Sequence, residues 1–236
     1  MTRFWSADRL AVSATLAVWA ALFWFVMISD RLSFFLASRT YWLATVGAIA
    51  LTIAAAGRLL TARTANREPL RRSRIRDLVI LVVPALVIAL FPPSTLGSFA
   101  VGRRSAGIQG AYASTTATDI GTGDLSLVDV FRLTYNDELG RLSGRAGSVA
   151  SFTGFVSQTP GAGAGEFVLN RFMVSCCPGD AVAVRVRVVG GPPSGLEADQ
   201  WVRVSGRIYP IGAELVVDAT EVFEVGRPDR PYLNSN

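Results

Sequence analysis

The chain has 236 residues, half of them apolar, with a mean hydropathy of +0.38 and a formal net charge of +5. That hydropathy is high for a wholly soluble protein and points to membrane segments. The chain has no histidine and no lysine and only two cysteines, Cys176 and Cys177, which excludes His-based catalytic triads, glycine–lysine phosphate loops and His-ligated metal centres.

The charge is unevenly placed. Residues 1–91 hold eleven arginines against Asp8, Asp30, Glu68 and Asp77, whereas residues 92–236 hold twelve against fourteen acids. The basic excess therefore belongs to the apolar half and reads as membrane topology, not as nucleic-acid binding.

In chain order, Leu10–Ile28 is the first apolar run. At about 19 residues it would span roughly 28 Å as a helix, close to the hydrocarbon thickness. Trp19, Trp24 and Phe25 within it, and no small-residue cleavage site after it, argue against a signal peptide. The second run, Tyr41–Gly57, opens on interfacial Tyr41 and Trp42. Its Gly47, Ala50, Ala54 and Gly57 predict a small-residue face packed on the first helix, or else on a partner protein. The third run, Leu78–Phe91, contains Pro84 and reaches spanning length when counted through Leu96; a core helix or re-entrant segment is the alternative.

Between the second and third runs lie Arg58, Arg63, Arg67, Arg71, Arg72, Arg74 and Arg76. Loops this basic stay cytoplasmic. The expected arrangement is a multi-pass cell-membrane protein with a cytoplasmic N-terminus, spans at about 10–28, 41–57 and 78–96, and an extracytoplasmic C-terminal domain. If the third run does not cross, that domain is cytoplasmic. Contact with anionic lipid head groups is the other use such a loop could have.

Residues 97–123, rich in Gly, Ser, Thr and Ala, read as a linker after a transmembrane region 1–96. Leu127, Val130, Phe131 and Leu133 predict a short amphipathic helix capped by Asp124 or Ser126. Five strands are then predicted at Val149–Val156, Glu166–Val174, Ala181–Val189, Trp201–Tyr209 and Glu214–Val225. Gly154 and Gly206 inside strands signal bulges or sharp bends. The expected fold is a helical membrane part of two or three spans followed by an all-β domain over 124–227, a small five-stranded OB-like barrel or a small β-sandwich. Phe152, Phe155, Phe167, Phe172 and Trp201 are expected to fill it, and 228–236 is expected to be a tail. Aromatics interleaved with basic residues are not evident, so no nucleic-acid partner is expected.

The cysteines lie in Phe172-Met173-Val174-Ser175-Cys176-Cys177-Pro178-Gly179-Asp180-Ala181. Three readings are open. The pair could simply pack as small apolar residues. It could ligate a soft metal ion such as zinc with Asp180, although a closed zinc site needs four ligands. It could form a strained, easily reduced disulfide, acting as a switch. Nucleophilic catalysis lacks a base, since Arg171 is the one nearby cation.

Phe152-Thr153-Gly154-Phe155-Val156, the stretch from Val168 through Cys177 with Asp180-Ala181 after it, Trp201 to Gly206, and Leu125 to Asp129 together resemble the YcgQ-like bacterial membrane proteins. The resemblance covers roughly 125–225, with a looser match in the membrane half. Arg171, Phe172 and Ala181 support its Cys-Cys motif; where relatives read Cys-Cys-x-Ala-Asp-Ala, this chain has Pro178-Gly179 before Asp180. The resemblance implies a C-terminal domain of unknown function and partnership with a separate multi-span permease, and names no substrate. The expectation is a non-enzymatic permease subunit that could handle a soft metal ion through Cys176, Cys177 and Asp180. A membrane-anchored thiol switch or enzyme, and a scaffold with packed cysteines, are the alternatives.

Overall fold

The computed structural model describes residues 4–64, 70–91, 94–103, 124–158, 163–192 and 195–234. The chain forms two compact units, Met1–Ser94 and Thr95–Asn236.

The first unit is helical. α1 (Ala7–Ile28) starts at Ser6, whose hydroxyl accepts the Arg9 N–H. α2 (Tyr41–Leu60) follows two short 3-10 turns, and α3 is Arg72–Leu90. α1 and the stretch Ser38–Leu60 are each long and apolar enough to cross a membrane. α3 is apolar only from Leu78, because Arg72, Arg74, Arg76 and Asp77 occupy its first turns. It accommodates Pro84 but stops at Leu90, short of the expected Leu96. Phe91 is extended, at φ −102° and ψ 119°, as steric conflict with the Pro92 ring requires.

α1 packs on both other helices. Ser13 donates to the Ala55 carbonyl at 2.8 Å, and the Trp19 indole N–H donates to Leu81 O at 3.0 Å. The small-residue face of α2 differs from the expected one. Gly47 lies against Phe23 of α1, and Ala44, Ala48 and Ala55 are buried. Ala50, Ala54 and Gly57 are exposed, and nothing lies within 4 Å of a Cβ built on Gly57. Both sets repeat at helical spacing, so sequence alone could not say which α1 would cover. Phe4–Trp5 (β1) and Arg63–Thr64 (β2) pair antiparallel, joining the N-terminus to the arginine segment.

The second unit is a closed barrel. A short helix, α4 (Ser98–Val101), lies within the stretch expected as linker, while 104–123 fall outside the described residues. α5 (Leu127–Tyr135) begins with a reciprocal Ser126–Asp129 capping box and buries Leu127, Val130, Phe131 and Leu133. The strands are β3 (Val149–Ser157), β4 (Phe167–Val174), β5 (Val182–Val189), β6 (Trp201–Ile211) and β7 (Glu214–Glu224). Their order β3-β6-β7-β5-β4 closes through a β3–β4 pairing. β5 and β7 run parallel and the other barrel pairs are antiparallel, the connectivity of an OB barrel.

Closure depends on two glycines. β3 pairs β6 along Val149–Phe155 and β4 along Phe155–Ser157, so it must coil sharply near Gly154. A Cβ there would stand 2.5 Å from the Asn170 carbonyl oxygen. A Cβ on Gly206 would collide with the Asp218 carbonyl oxygen, beside the register shift of the β6–β7 ladder. Both positions admit only a bare backbone.

The interior is apolar: Phe152, Val156, Phe167, Leu169, Met173, Val184, Val186, Val188, Val202, Val204, Ile208 and Val217 join the buried face of α5. Phe155 and Phe172 are also buried but lie outside that cluster. They stack at 5.7 Å, and Trp201 meets Phe155 edge-on at 5.8 Å. The aromatics expected as one core thus divide into an interior pair and a separate stack. The segment expected as a tail is also tied down through Asn234. Leu233–Asn234 (β8) pairs parallel with Met173–Val174, and Tyr232 is buried, its hydroxyl accepting the Leu96 N–H.

Candidate functional site

The two thiols sit on the loop Ser175–Ala181 joining β4 to β5. Valines and aromatics carry β4 as far as Val174, where Ser175 leaves the ladder. Pro178–Asp180 then form a 3-10 turn with Pro178 leading, as the preset φ of proline favours. Asp180 closes the loop. Its Oδ1 accepts the Ser175 N–H at 2.9 Å and its Oδ2 the Cys176 N–H at 2.7 Å, while its own N–H donates to Cys177 O at 3.0 Å. Ala181, buried at 3% exposure, seats the far end of the turn.

Cys176 is exposed and Cys177 half-buried, and neither is disulfide-bonded. Their sulfurs are 3.6 Å apart. The Cys176 pKa is pushed up to about 12, first by its hydrogen bond to the Asp180 carboxylate and then by that to Cys177. Cys176 is therefore a thiol at neutral pH, and a thiol is a poor nucleophile. Among the described residues no group of three or more His, Cys, Asp or Glu side chains is arranged to hold a metal ion. The residues expected as a metal set are thus one dithiol and one carboxylate already engaged in the turn.

Arg171 and Phe172 support this loop from β4. The Arg171 Nε donates to Pro231 O at 3.2 Å and its Nη2 to Arg230 O at 2.6 Å, with the guanidinium 5.8 Å from the Trp201 ring centroid. Burial lowers the Arg171 pKa, and the carbonyls are what solvate the desolvated cation. Arg171 thereby anchors the C-terminal segment that pairs with Met173 and Val174, the two residues immediately before Ser175.

Sequence reasoning missed Asn170. It is fully buried where β3 meets β4, its amide donating to Ser157 Oγ at 2.7 Å and Val168 O at 2.8 Å, while Oδ1 is buried without a hydrogen-bond partner. A polar residue amid Phe, Val and Leu was the available signal. The role of residues 230–234 left no such signal. The glycine loop before β4 closes with Glu166 N–H donating to Gly163 O at 3.1 Å, and residues 161–162 lie outside the described residues.

Of the topology arginines, Arg67 lies outside the described residues. Arg58 sits in the last turn of α2. Arg63 stacks 4.9 Å from the Trp5 ring, Arg74 pairs with Asp8 at 3.5 Å, and Arg76 with Asp77 at 3.8 Å. Arg71 caps α3 and Arg72 begins it. The start of α1, the end of α2 and the start of α3 therefore share one end of the helical unit.

No curated protein matches this chain. Residues 135–234, less than half of the chain, match the family model described as the DUF1980 C-terminal domain, so the barrel and its Cys176–Cys177 loop are similar to a domain of unknown function.

Proposed function

We propose that this protein is a membrane-anchored accessory subunit of a multi-span permease, whose barrel offers Cys176 and Cys177 to a soft metal ion such as zinc. The observation that carries the reading is the separation of the two sulfurs, 3.6 Å, on an exposed hairpin loop. Two thiolates bound to one tetrahedral zinc at about 2.3 Å stand roughly 3.8 Å apart. The sulfurs therefore need almost no movement to chelate one ion, and binding it would displace the thiol protons, including the one that Asp180 holds on Cys176. Linear two-thiolate coordination would need a wider pair.

The helices support the anchoring half of the proposal. α1 and α3 run the same way: Asp8 meets Arg74 near their starts, and Trp19 meets Leu81 further along. If α1 crosses from the cytoplasm, α3 crosses with it and delivers residue 91 to the other side. The apolar part of α3, Leu78–Leu90, rises about 20 Å, and its crossing would be completed by the leading arginines snorkelling to the head groups. This topology puts the arginine segment in the cytoplasm and the barrel outside.

A thiol enzyme is less well supported, because the chain has no histidine to act as base.

The test is zinc competition against a chromophoric chelator, using full-length protein in detergent. Wild type is expected to withdraw zinc and C176S/C177S to leave it on the chelator. A wild type that withdraws none rejects the metal reading. For the permease half, cells carrying C176S/C177S at normal abundance are expected to differ from wild type in metal accumulation, and unchanged accumulation rejects it.

A further inference from the structure

We propose that zinc binds this chain as a bridge between two copies, each giving its Cys176–Cys177 pair to one four-thiolate site; this rests on the metal reading above. The geometry supplies one edge of a tetrahedron and no more. The sulfurs are 3.6 Å apart, and the chain has no histidine and no further cysteine anywhere in its sequence. Asp180 is the adjacent carboxylate, but its two oxygens already accept the Ser175 and Cys176 N–H groups. Turning it toward a metal would open the loop that holds the sulfurs together. Among the described residues no third donor joins the pair. Closed zinc sites take four ligands, and four cysteines are one of their standard sets.

A second copy of the chain provides the missing half in the right chemistry and number. The contact is isologous, since the same loop serves on both sides of a two-fold axis. Steric access is good: Cys176 is exposed, and the residues after the pair are Pro178 and Gly179, with no long side chain to hold the loops apart. Anchoring confines the copies to one membrane plane and raises their effective concentration. In the helical unit, independently, Ala50, Ala54 and Gly57 of α2 are exposed and leave room for a second helix to approach closely.

The experiment titrates zinc into full-length protein in detergent, following bound metal and protein mass by light scattering. The expected result is saturation at about half a zinc per chain with a doubling of protein mass, both lost in C176S/C177S. Cobalt substitution gives a second readout that holds even if the detergent-solubilised protein is already dimeric. The sulfur-to-cobalt charge-transfer band per ion should have four-thiolate intensity. One zinc per chain with a two-thiolate band overturns the bridge and leaves the metal reading standing. No zinc binding overturns both.

Discussion

Asp180 serves two ends within one turn. Its carboxylate closes the β4–β5 loop on the Ser175 and Cys176 N–H groups, and it also accepts the Cys176 thiol, pushing that pKa up to about 12. The native fold therefore favours the protonated thiol. Its contribution to stability is fully present below the ordinary thiol pKa of about 9 and is lost as pH rises from there through about 12. In a C177A background, adding D180N is expected to shift the pH midpoint for Cys176 alkylation downward, toward the ordinary value. An unchanged alkylation profile would mean that Asp180 does not control the thiol. At Gly206 the constraint is steric. G206A forces a methyl against the Asp218 carbonyl and is expected to cost about 1–3 kcal/mol in denaturant unfolding. G140A, at a position with open space, is expected to stay within about 0.5 kcal/mol of wild type.

Among the elements, α5 and β8 are the pieces whose attachment can be measured separately. S126A removes the N-cap hydroxyl that accepts the Asp129 N–H and should lower stability by about 1 kcal/mol, read as a shift in denaturation midpoint. Arg171 acts on β8. R171M keeps the apolar stem but leaves the Arg230 and Pro231 carbonyls without their cation. Amide hydrogen exchange is expected to speed up at Leu233–Asn234 more than in β6 or β7; equal protection in R171M would show that Arg171 does not hold the segment. Because β8 pairs with Met173 and Val174, loosening it should also make the thiol loop less ordered.

For the whole molecule the question is which side of the membrane the barrel occupies. The proposed three crossings place Cys176, the exposed thiol, outside the cell. A membrane-impermeant maleimide at alkaline pH is expected to label the Cys176–Cys177 pair on intact cells without prior reduction. Labelling that needs reduction would show that the pair is oxidised in place. Labelling only after lysis, with efficient labelling of the lysed protein, would put the barrel in the cytoplasm and leave α3 on one side of the bilayer.

Much of the fold was legible because it rests on local periodicity. Val alternating with Arg from Val182 onward marks a strand whose two faces meet apolar and aqueous surroundings, and the observed β5, Val182–Val189, starts one residue after the expected Ala181. Ser126, one of the two caps expected, begins α5 in the same local way, and the structure adds its pairing with Asp129. Apolar length alone identified α1 and α2. The helix α3 ends at Leu90, one residue before the end of the apolar run at Phe91 and short of Leu96, to which the run must be counted to reach spanning length; Pro92 disfavours helical backbone at Phe91.

The sequence by itself determined the membrane-length helices, the five strands and the isolation of two adjacent thiols, since each follows from composition or from contacts between near neighbours. Only the tertiary structure decided which small residues of α2 face α1 and which aromatics leave the barrel interior. It alone brought residues 230–234 back to β4 and gave Asp180 to the loop in place of an open ligand position. These depend on closing a barrel between strands far apart in the chain and on packing one helix face against another. No local pattern encodes which of several equivalent faces or acceptors the final geometry will use.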